Sequence, residues 1–246
     1  MSSWLEGRVL ENRAWTDTLF SLRVECSPLR FEAGQFVRIA LDIGGERIAR
    51  PFSFVNAPDD PVMEFYGVIV PEGPLSPHLA RLRAGDGLFI ADNPSGFLVL
   101  AEVPPADDLW LVATGTGIAP FLSILRTEAP WERYRRVILV HAARHATELV
   151  YRDLISELKI KRTKFSYVSM LSRDKTPASL AGRIPAALHD GRLEAAAGAQ
   201  IAPERSQFML CGNPGMLKEA AAELIARGLR KNRRRTPGQI TVESFW

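Results

Sequence analysis

The residues Leu109-Trp110-Leu111-Val112-Ala113 form an uninterrupted apolar run, and Thr114-Gly115-Thr116-Gly117-Ile118-Ala119-Pro120 follows it directly. An apolar run of this length closed by glycine predicts a buried strand, and from Ile118 the spacing changes to that of a helix over 118–127. Glycine lets backbone approach a ligand closely, and a helix N-terminus offers free N–H groups to an anion such as a phosphate. A strand, glycine turn and helix also occur for packing alone, so this turn by itself leaves both readings open. The rest of the C-terminal half narrows the fold. Strand-like runs at 137–142, 165–171 and 208–211 alternate with helical patterns at 148–161, 184–188 and 215–227. Alternation of this kind predicts a parallel sheet with helices on both faces, which places ligands beyond the carboxyl ends of the strands. At those ends stand His141-Ala142-Ala143-Arg144, Ser172-Arg173 and Cys211-Gly212-Asn213-Pro214. The Ala- and Gly-rich stretch 195–203 reads as loop.

Residues 1–101 carry a different pattern. Short apolar or alternating runs at Val9-Leu10, 19–24, 36–41, 47–54 and 65–70, with a further strand from Asp86-Gly87 through Ile90, predict a small antiparallel barrel. Asp42-Ile43-Gly44-Gly45 reads as a hairpin turn. One helix is expected near Ser76-Pro77, with serine as its N-cap and proline at the first helical position. Two prolines and three acids break the pattern in Glu102-Val103-Pro104-Pro105-Ala106-Asp107-Asp108. The expected division is therefore into domains 1–101 and 108–246.

Composition excludes several classes of function. Thirty-one basic residues against 28 acidic ones leave a net charge of +3, too little to make nucleic acid the main partner. Met1 to Glu6 lack a charged segment followed by an apolar one, and no uncharged apolar run is long enough for a bilayer. A cytoplasmic protein with no membrane attachment is expected, and a monomer. Cys26 and Cys211 are too few for a four-thiolate iron–sulfur or zinc site. His78, His141, His145 and His189 lack ligand spacing, so no metal is expected. Ser76, Ser123 and Ser172 lack the surroundings of a hydrolase nucleophile. Any redox cofactor is then organic.

Four motifs together resemble one family. Arg50-Pro51-Phe52-Ser53, Thr114 to Pro120, the corner Cys211-Gly212-Asn213-Pro214 and the terminal Ser244-Phe245-Trp246 are similar, in order and spacing, to the bacterial ferredoxin/flavodoxin–NADP(+) reductases. The likeness covers the whole chain, although Pro120 stands where other dinucleotide turns have a third glycine and Phe52 where the family more often has Tyr. The resemblance implies a ferredoxin reductase-like β plus α/β architecture. An antiparallel β-barrel would bind FAD and a parallel-sheet α/β domain would bind NADP(H), with hydride exchanged where the two meet. It also implies ferredoxin or flavodoxin, an acidic electron carrier, as partner.

Residue by residue, the resemblance gives FAD contacts to Arg50, Pro51, Phe52, Ser53, Tyr66, Gly67, Val68, Ile69, Pro74, Leu75, Ser76 and Thr116. Phe245 and Trp246 would cover the flavin or its adenine. It gives NADP(H) contacts to Thr114, Gly115, Gly117, Ala143, Arg144, Ser172, Arg173, Arg183, Cys211, Gly212, Asn213 and Pro214. Ser53, Cys211 and Glu243 would stand near the reacting atoms, with the role of Glu243 in proton handling or charge balance. The physical reasons are consistent with these roles. A planar guanidinium such as Arg50 suits a diphosphate, and the flat face of Phe52 suits an aromatic ring system. Arginines without a ribose-binding acid favour the 2′-phosphate of NADP. Local pattern alone equally fits an exposed strand arginine at 50, a core phenylalanine at 52 and a buried structural thiol at 211. The basic run Arg227, Arg230, Lys231, Arg233, Arg234 and Arg235 reads either as a solvated face or as half of a docking surface. Two rival readings share the motifs: a non-catalytic flavin- or nucleotide-binding regulator, and the reductase component of an oxygenase system. The second usually adds an iron–sulfur domain, which two cysteines exclude on this chain.

Overall fold

A computed structural model describes residues 3–244, so the cover expected from Phe245 and Trp246 lies outside the described residues. The chain forms two compact units, one of Met1–Val99 with Ala119–Thr127, the other of Leu100–Ile118 with Glu128–Trp246.

The first unit is an antiparallel sheet of six strands: β1 (Trp4–Ala14), β2 (Leu19–Cys26), β3 (Phe36–Ile43), β4 (Glu46–Ser53), β5 (Met63–Val68) and β6 (Gly87–Ala91). Their order is β4-β3-β6-β1-β2-β5. A bridge between Phe54 and Phe65, with the Val55 N–H donating to the Glu64 carbonyl at 2.8 Å, brings the two edges together, so the sheet curls towards a barrel. Inside lie Phe20, Leu22, Val24, Ile39, Phe54, Phe65 and Ile90, each at most 2% exposed. Gly44 and Gly45 turn β3 into β4 with φ of 61° and 85°, the left-handed pair that matches strand twist in a two-residue hairpin. β1 is much longer than Val9-Leu10, because Glu6, Arg8 and Leu10 face outward while Gly7 and Val9 face inward. Such alternation carries too few apolar residues to stand out in sequence. β5 stops at Val68, short of the expected 70, although the Ile69 N–H still reaches the Thr18 carbonyl at 2.7 Å. The helix α1 (Ser76–Leu79) has Leu75, not Ser76, as its N-cap. The Ser76 hydroxyl accepts from the Val70 N–H at 2.9 Å instead, tying back the preceding loop.

Helix α2 (Ala119–Leu125) also packs in this unit, ending two residues earlier than the pattern implied. Its Ser123 hydroxyl donates to the Asn56 carbonyl at 2.6 Å, and Arg126 just beyond it pairs with Glu64 at 3.0 Å.

The second unit is an all-parallel sheet of β7 (Asp108–Thr114), β8 (Arg136–Ala143), β9 (Phe165–Leu171), β10 (Leu180–Ala181), β11 (Ser206–Gly212) and β12 (Ile240–Ser244). The order is β10-β9-β8-β7-β11-β12. Around it run α3 (Ala129–Arg133), α4 (Arg152–Lys161), α5 (Ile184–His189), α6 (Arg192–Ala197) and α7 (Pro214–Ala226). One face of the sheet, through Trp110, Val112, Ile138, Val140, Phe208 and Leu210, shares a core with Leu188 of α5, Leu193 of α6 and Leu217 of α7. Two sequence assignments change here. The helix expected from 148 begins at Arg152, because Tyr151 takes a left-handed φ of 58° that no helix can run through. The stretch read as loop at 195–203 is helical through Ala197. Its alanines have high helix propensity and buried Leu193 anchors it, until Gly198 at φ 64° ends it.

At the amino end of β7 the fully buried Asp108 accepts from Arg136 at 2.8 Å and from Arg205 at 2.9 Å. No helix among the described residues is long and apolar enough to cross a membrane.

Candidate functional site

At the carboxyl end of β7 the chain enters a single 3₁₀ turn, Gly115–Ile118. Gly115 has φ 54°, which favours glycine. Gly117 is required for a different reason: a Cβ there would stand 2.5 Å from the Cys211 carbonyl oxygen. Gly212 combines both, with φ 131° and a hypothetical Cβ only 2.2 Å from Thr114 Oγ1. Thr114 Oγ1 accepts from the Asn213 N–H at 2.9 Å. The glycine turn and the corner after β11 are thus locked together by the Thr114 hydroxyl and by the close backbone approach of Gly117 to Cys211. Asn213 caps α7, its Oδ1 accepting from Gly215 and Met216 N–H at 2.9 and 3.2 Å, and Pro214 fills the first helical turn where no N–H is needed.

Strand register sets a row of residues across these strand ends. Glu243 pairs with Cys211, Cys211 with Ala113, Ala113 with His141, and His141 with Ser169. All five project from the face opposite the helix-covered core, since β residues alternate sides. The structure therefore brings the sequence candidates Cys211 and Glu243 side by side through β12, a strand absent from the sequence reading. Cys211 is fully buried, and burial, with the Glu243 carboxylate adding to it, pushes its thiol well above the usual range. It remains protonated near neutrality and is neither a nucleophile nor a base there.

His141, expected at a strand end and without metal-ligand spacing, belongs to the same row. Its Nε2 lies 3.2 Å from the Gly115 carbonyl. A carbonyl only accepts, so Nε2 carries the hydrogen and Nδ1 is left buried without a partner among the described residues. Burial lowers the imidazole pKa from 6.5 to about 4, against the opposing effect of the Gly115 bond. The signal in sequence was its position at the end of an apolar strand, in phase with inward-facing residues.

The three arginines converge on one rim. Arg144 follows β8, Arg173 lies two residues beyond β9, and Arg183 precedes α5. Ser172 N–H donates to Ala143 O and Arg173 N–H to Arg144 O, each at 3.0 Å, while Gly182 N–H donates to Leu171 O at 2.8 Å. All three arginines are exposed, and none of their guanidinium groups pairs with an acid among the described residues. The loops beneath them are closely tied. Glu148 Oε2 accepts from Arg144 N–H at 2.8 Å, and Asp174 accepts from Ala146 N–H at 2.7 Å and meets His145 Nδ1 at 2.9 Å.

In the first unit Arg50, Pro51, Phe52 and Ser53 lie on β4, an edge strand, where a proline without N–H is tolerated. Arg50 is exposed and its guanidinium donates to the Ala49 carbonyl at 2.8 Å. The ring of Phe52 lies over Gly67 of β5: a Cβ there would meet Phe52 Cε1 at 2.8 Å and Phe20 Cζ at 3.0 Å. Tyr66 is 3% exposed, Val68 and Ile69 are half-buried, Pro74 is exposed and Leu75 is buried. Ser53 Oγ is buried with no hydrogen-bond partner among the described residues. A hydroxyl withheld from water without a partner is costly, so this one suits a polar atom of a ligand.

A curled antiparallel sheet and a parallel sheet ending in a glycine turn define the ferredoxin reductase-like class of fold. The family model described as an oxidoreductase NAD-binding domain matches residues 111–222. A flavodoxin/ferredoxin–NADP reductase of Shigella flexneri is 45% identical over 248 residues, covering 100% of both chains. A ferredoxin–NADP reductase of Pseudomonas aeruginosa is 36% identical over 99% of this chain and 98% of its own length. A ferredoxin NADP+ reductase from Neisseria gonorrhoeae, solved with bound FAD and NADP, matches at TM-score 0.95 and 33% identity over 100% of each chain. The chain belongs to the flavodoxin/ferredoxin–NADP reductase family.

Proposed function

We propose that the chain exchanges hydride between NADP(H) and FAD and electrons with a ferredoxin or flavodoxin, residues 1–101 holding FAD and residues 108–246 holding NADP(H). The residues fit both groups. The unpartnered Ser53 hydroxyl offers a donor to a flavin heteroatom, and three unpaired arginines offer cations to a phosphate. Bound FAD supplies the conversion between two-electron and one-electron transfer. The chain supplies position. Arg50 and the backbone around Pro74, Leu75 and Ser76 hold the diphosphate, while Phe52, Tyr66, Gly67, Val68 and Ile69 line the flavin. Thr114, Gly115, Thr116 and Gly117, with Gly212, Asn213 and Pro214, let the backbone come close to the nicotinamide nucleotide. Cys211, held as a neutral thiol, packs against the reacting ring without ionising, and Glu243 beside it balances charge or handles a proton. The exposed Arg230, Lys231, Arg233 and Arg235 receive an acidic carrier.

The observation that carries the choice of NADP(H) is the arginine rim. A 2′-phosphate carries close to two charges, and each charge-assisted contact contributes about 1.5–3 kcal/mol, so losing one arginine costs roughly ten- to a hundredfold in preference. In Arg144→Ala and Arg173→Ala, kcat/KM for NADPH should fall by that factor while NADH is unaffected, and the difference should shrink as salt rises. An equal fall for both nucleotides would assign these arginines to the fold or to the shared diphosphate.

A further inference from the structure

The loops that carry Arg144 and Arg173 are tied together by one carboxylate. Asp174, next after Arg173, accepts from Ala146 N–H with Oδ2 at 2.7 Å and meets His145 Nδ1 with Oδ1 at 2.9 Å. His145 and Ala146 follow Arg144 directly, and the Asp174 N–H donates in turn to the Arg144 carbonyl at 3.3 Å. Glu148 holds the same loop from beneath, accepting from Arg144 and His145 N–H at 2.8 and 3.3 Å. Arg152 donates to the carbonyls of Leu149 and Ala146.

On charge alone an acid beside a phosphate-binding rim is unfavourable, because it repels the ligand the arginines attract. Asp174 is nonetheless kept ionised: the Ala146 N–H, and after it His145, hold its carboxyl below the usual carboxylate range. Both its oxygens are engaged by the opposite loop, so its contribution is geometric and opposed by its own charge.

We infer that Asp174 is a positioning residue for NADP selectivity, fixing the loop after β8 to the loop after β9 so that Arg144 and Arg173 present their guanidinium groups together. The inference rests on the 2′-phosphate reading of those arginines. It separates two substitutions that a purely electrostatic view would rank alike. Asp174→Asn keeps an oxygen for Ala146 N–H and an N–H for an unprotonated His145 Nδ1, and removes the charge. Asp174→Ala removes both links.

The test is steady-state kcat/KM for NADPH and NADH in the FAD-loaded protein, with inhibition by 2′-phospho-AMP as a readout independent of turnover. In Asp174→Ala, kcat/KM for NADPH should fall about tenfold and 2′-phospho-AMP should inhibit about tenfold more weakly, with NADH turnover and FAD content unchanged. Asp174→Asn should stay within about twofold of the parent or bind 2′-phospho-AMP more tightly. A gain of NADPH preference in Asp174→Ala would make the residue a simple electrostatic brake, and an equal loss for both nucleotides would make it part of the general fold. Either result overturns the inference, as does an unchanged preference. Arg144→Ala and Arg173→Ala run in parallel keep the two ideas apart. If these variants are selective and Asp174→Ala is silent, only the positioning role fails. If they are unselective, the phosphate reading fails first.

Discussion

His141 has one nitrogen bonded to the glycine turn and the other buried without a partner among the described residues, which sets how its environment responds to acid. Its pKa falls from 6.5 in the open chain to about 4 in the fold. Between these values the unfolded chain takes up a proton that the folded one refuses, so stability is full above 6.5 and is lost as pH falls towards 4. The difference corresponds to about 3 kcal/mol. Denaturant titrations at pH 7 and pH 5 should show a drop that is smaller in His141→Gln, whatever that variant loses at pH 7; parallel drops would remove His141 as the cause. At this scale the sequence was legible for position, since Arg144 and Arg173 follow strand ends as the apolar runs implied. It was less so for Gly67, where nothing in the sequence marks that the Phe52 ring needs the room. Nor did Ser76 announce that its hydroxyl would serve the Val70 N–H. Both depend on partners from other strands or loops.

Among elements, the glycine turn and the β11 corner are two halves of one device, joined by the Thr114 hydroxyl and by the close pass of Gly117 at Cys211. Gly117→Ala would force the end of β11 away, at a cost of about 1–3 kcal/mol for such overpacking. The expected result is a lower melting temperature together with a raised KM for NADPH, and FAD content unchanged; a fully neutral variant would show that the turn yields easily. Strands β7, β8 and β11 were readable because burial on both faces gives each a continuous apolar stretch, and β9 because its apolar residues outnumber Ser166 and Ser169. Strand β12 was not, since Thr241, Glu243 and Ser244 dilute its five residues. Its existence depends on β11 already being in place to pair with it. The buried Asp108 with Arg136 and Arg205 sits at the other end of β7 from the glycine turn. Asp108→Ala takes the carboxylate from Arg136 and leaves Arg205 only Asp107, at 3.9 Å; both arginines are partly exposed, so the expected cost is about 1–3 kcal/mol of stability. The folded fraction should keep its kcat, and a lowered kcat in protein shown to be folded would contradict that separation.

For the molecule as a whole, the family assignment makes a direct spectroscopic expectation: purified protein is yellow from non-covalent FAD, and anaerobic NADPH bleaches it. Colour that persists would leave a nucleotide-binding regulator. The two-part organisation was legible from the change of pattern around residues 102–108. The membership of helix α2 was not, because its ties to Asn56 and Glu64 are made by side chains of high sequence separation. That membership makes the first unit discontinuous, since Met1–Val99 is completed only by Ala119–Thr127. A chain leaving the ribosome from its N-terminus therefore exposes all six strands of the sheet before α2, the last segment of the same unit, has been synthesised. In between, the apolar β7 emerges without any of its own neighbours. Domains usually fold in the order in which they are made. Here synthesis of the second unit has to begin before the first can be completed, so a nascent chain stalled near residue 100 lacks the Ser123 and Arg126 partners of Asn56 and Glu64.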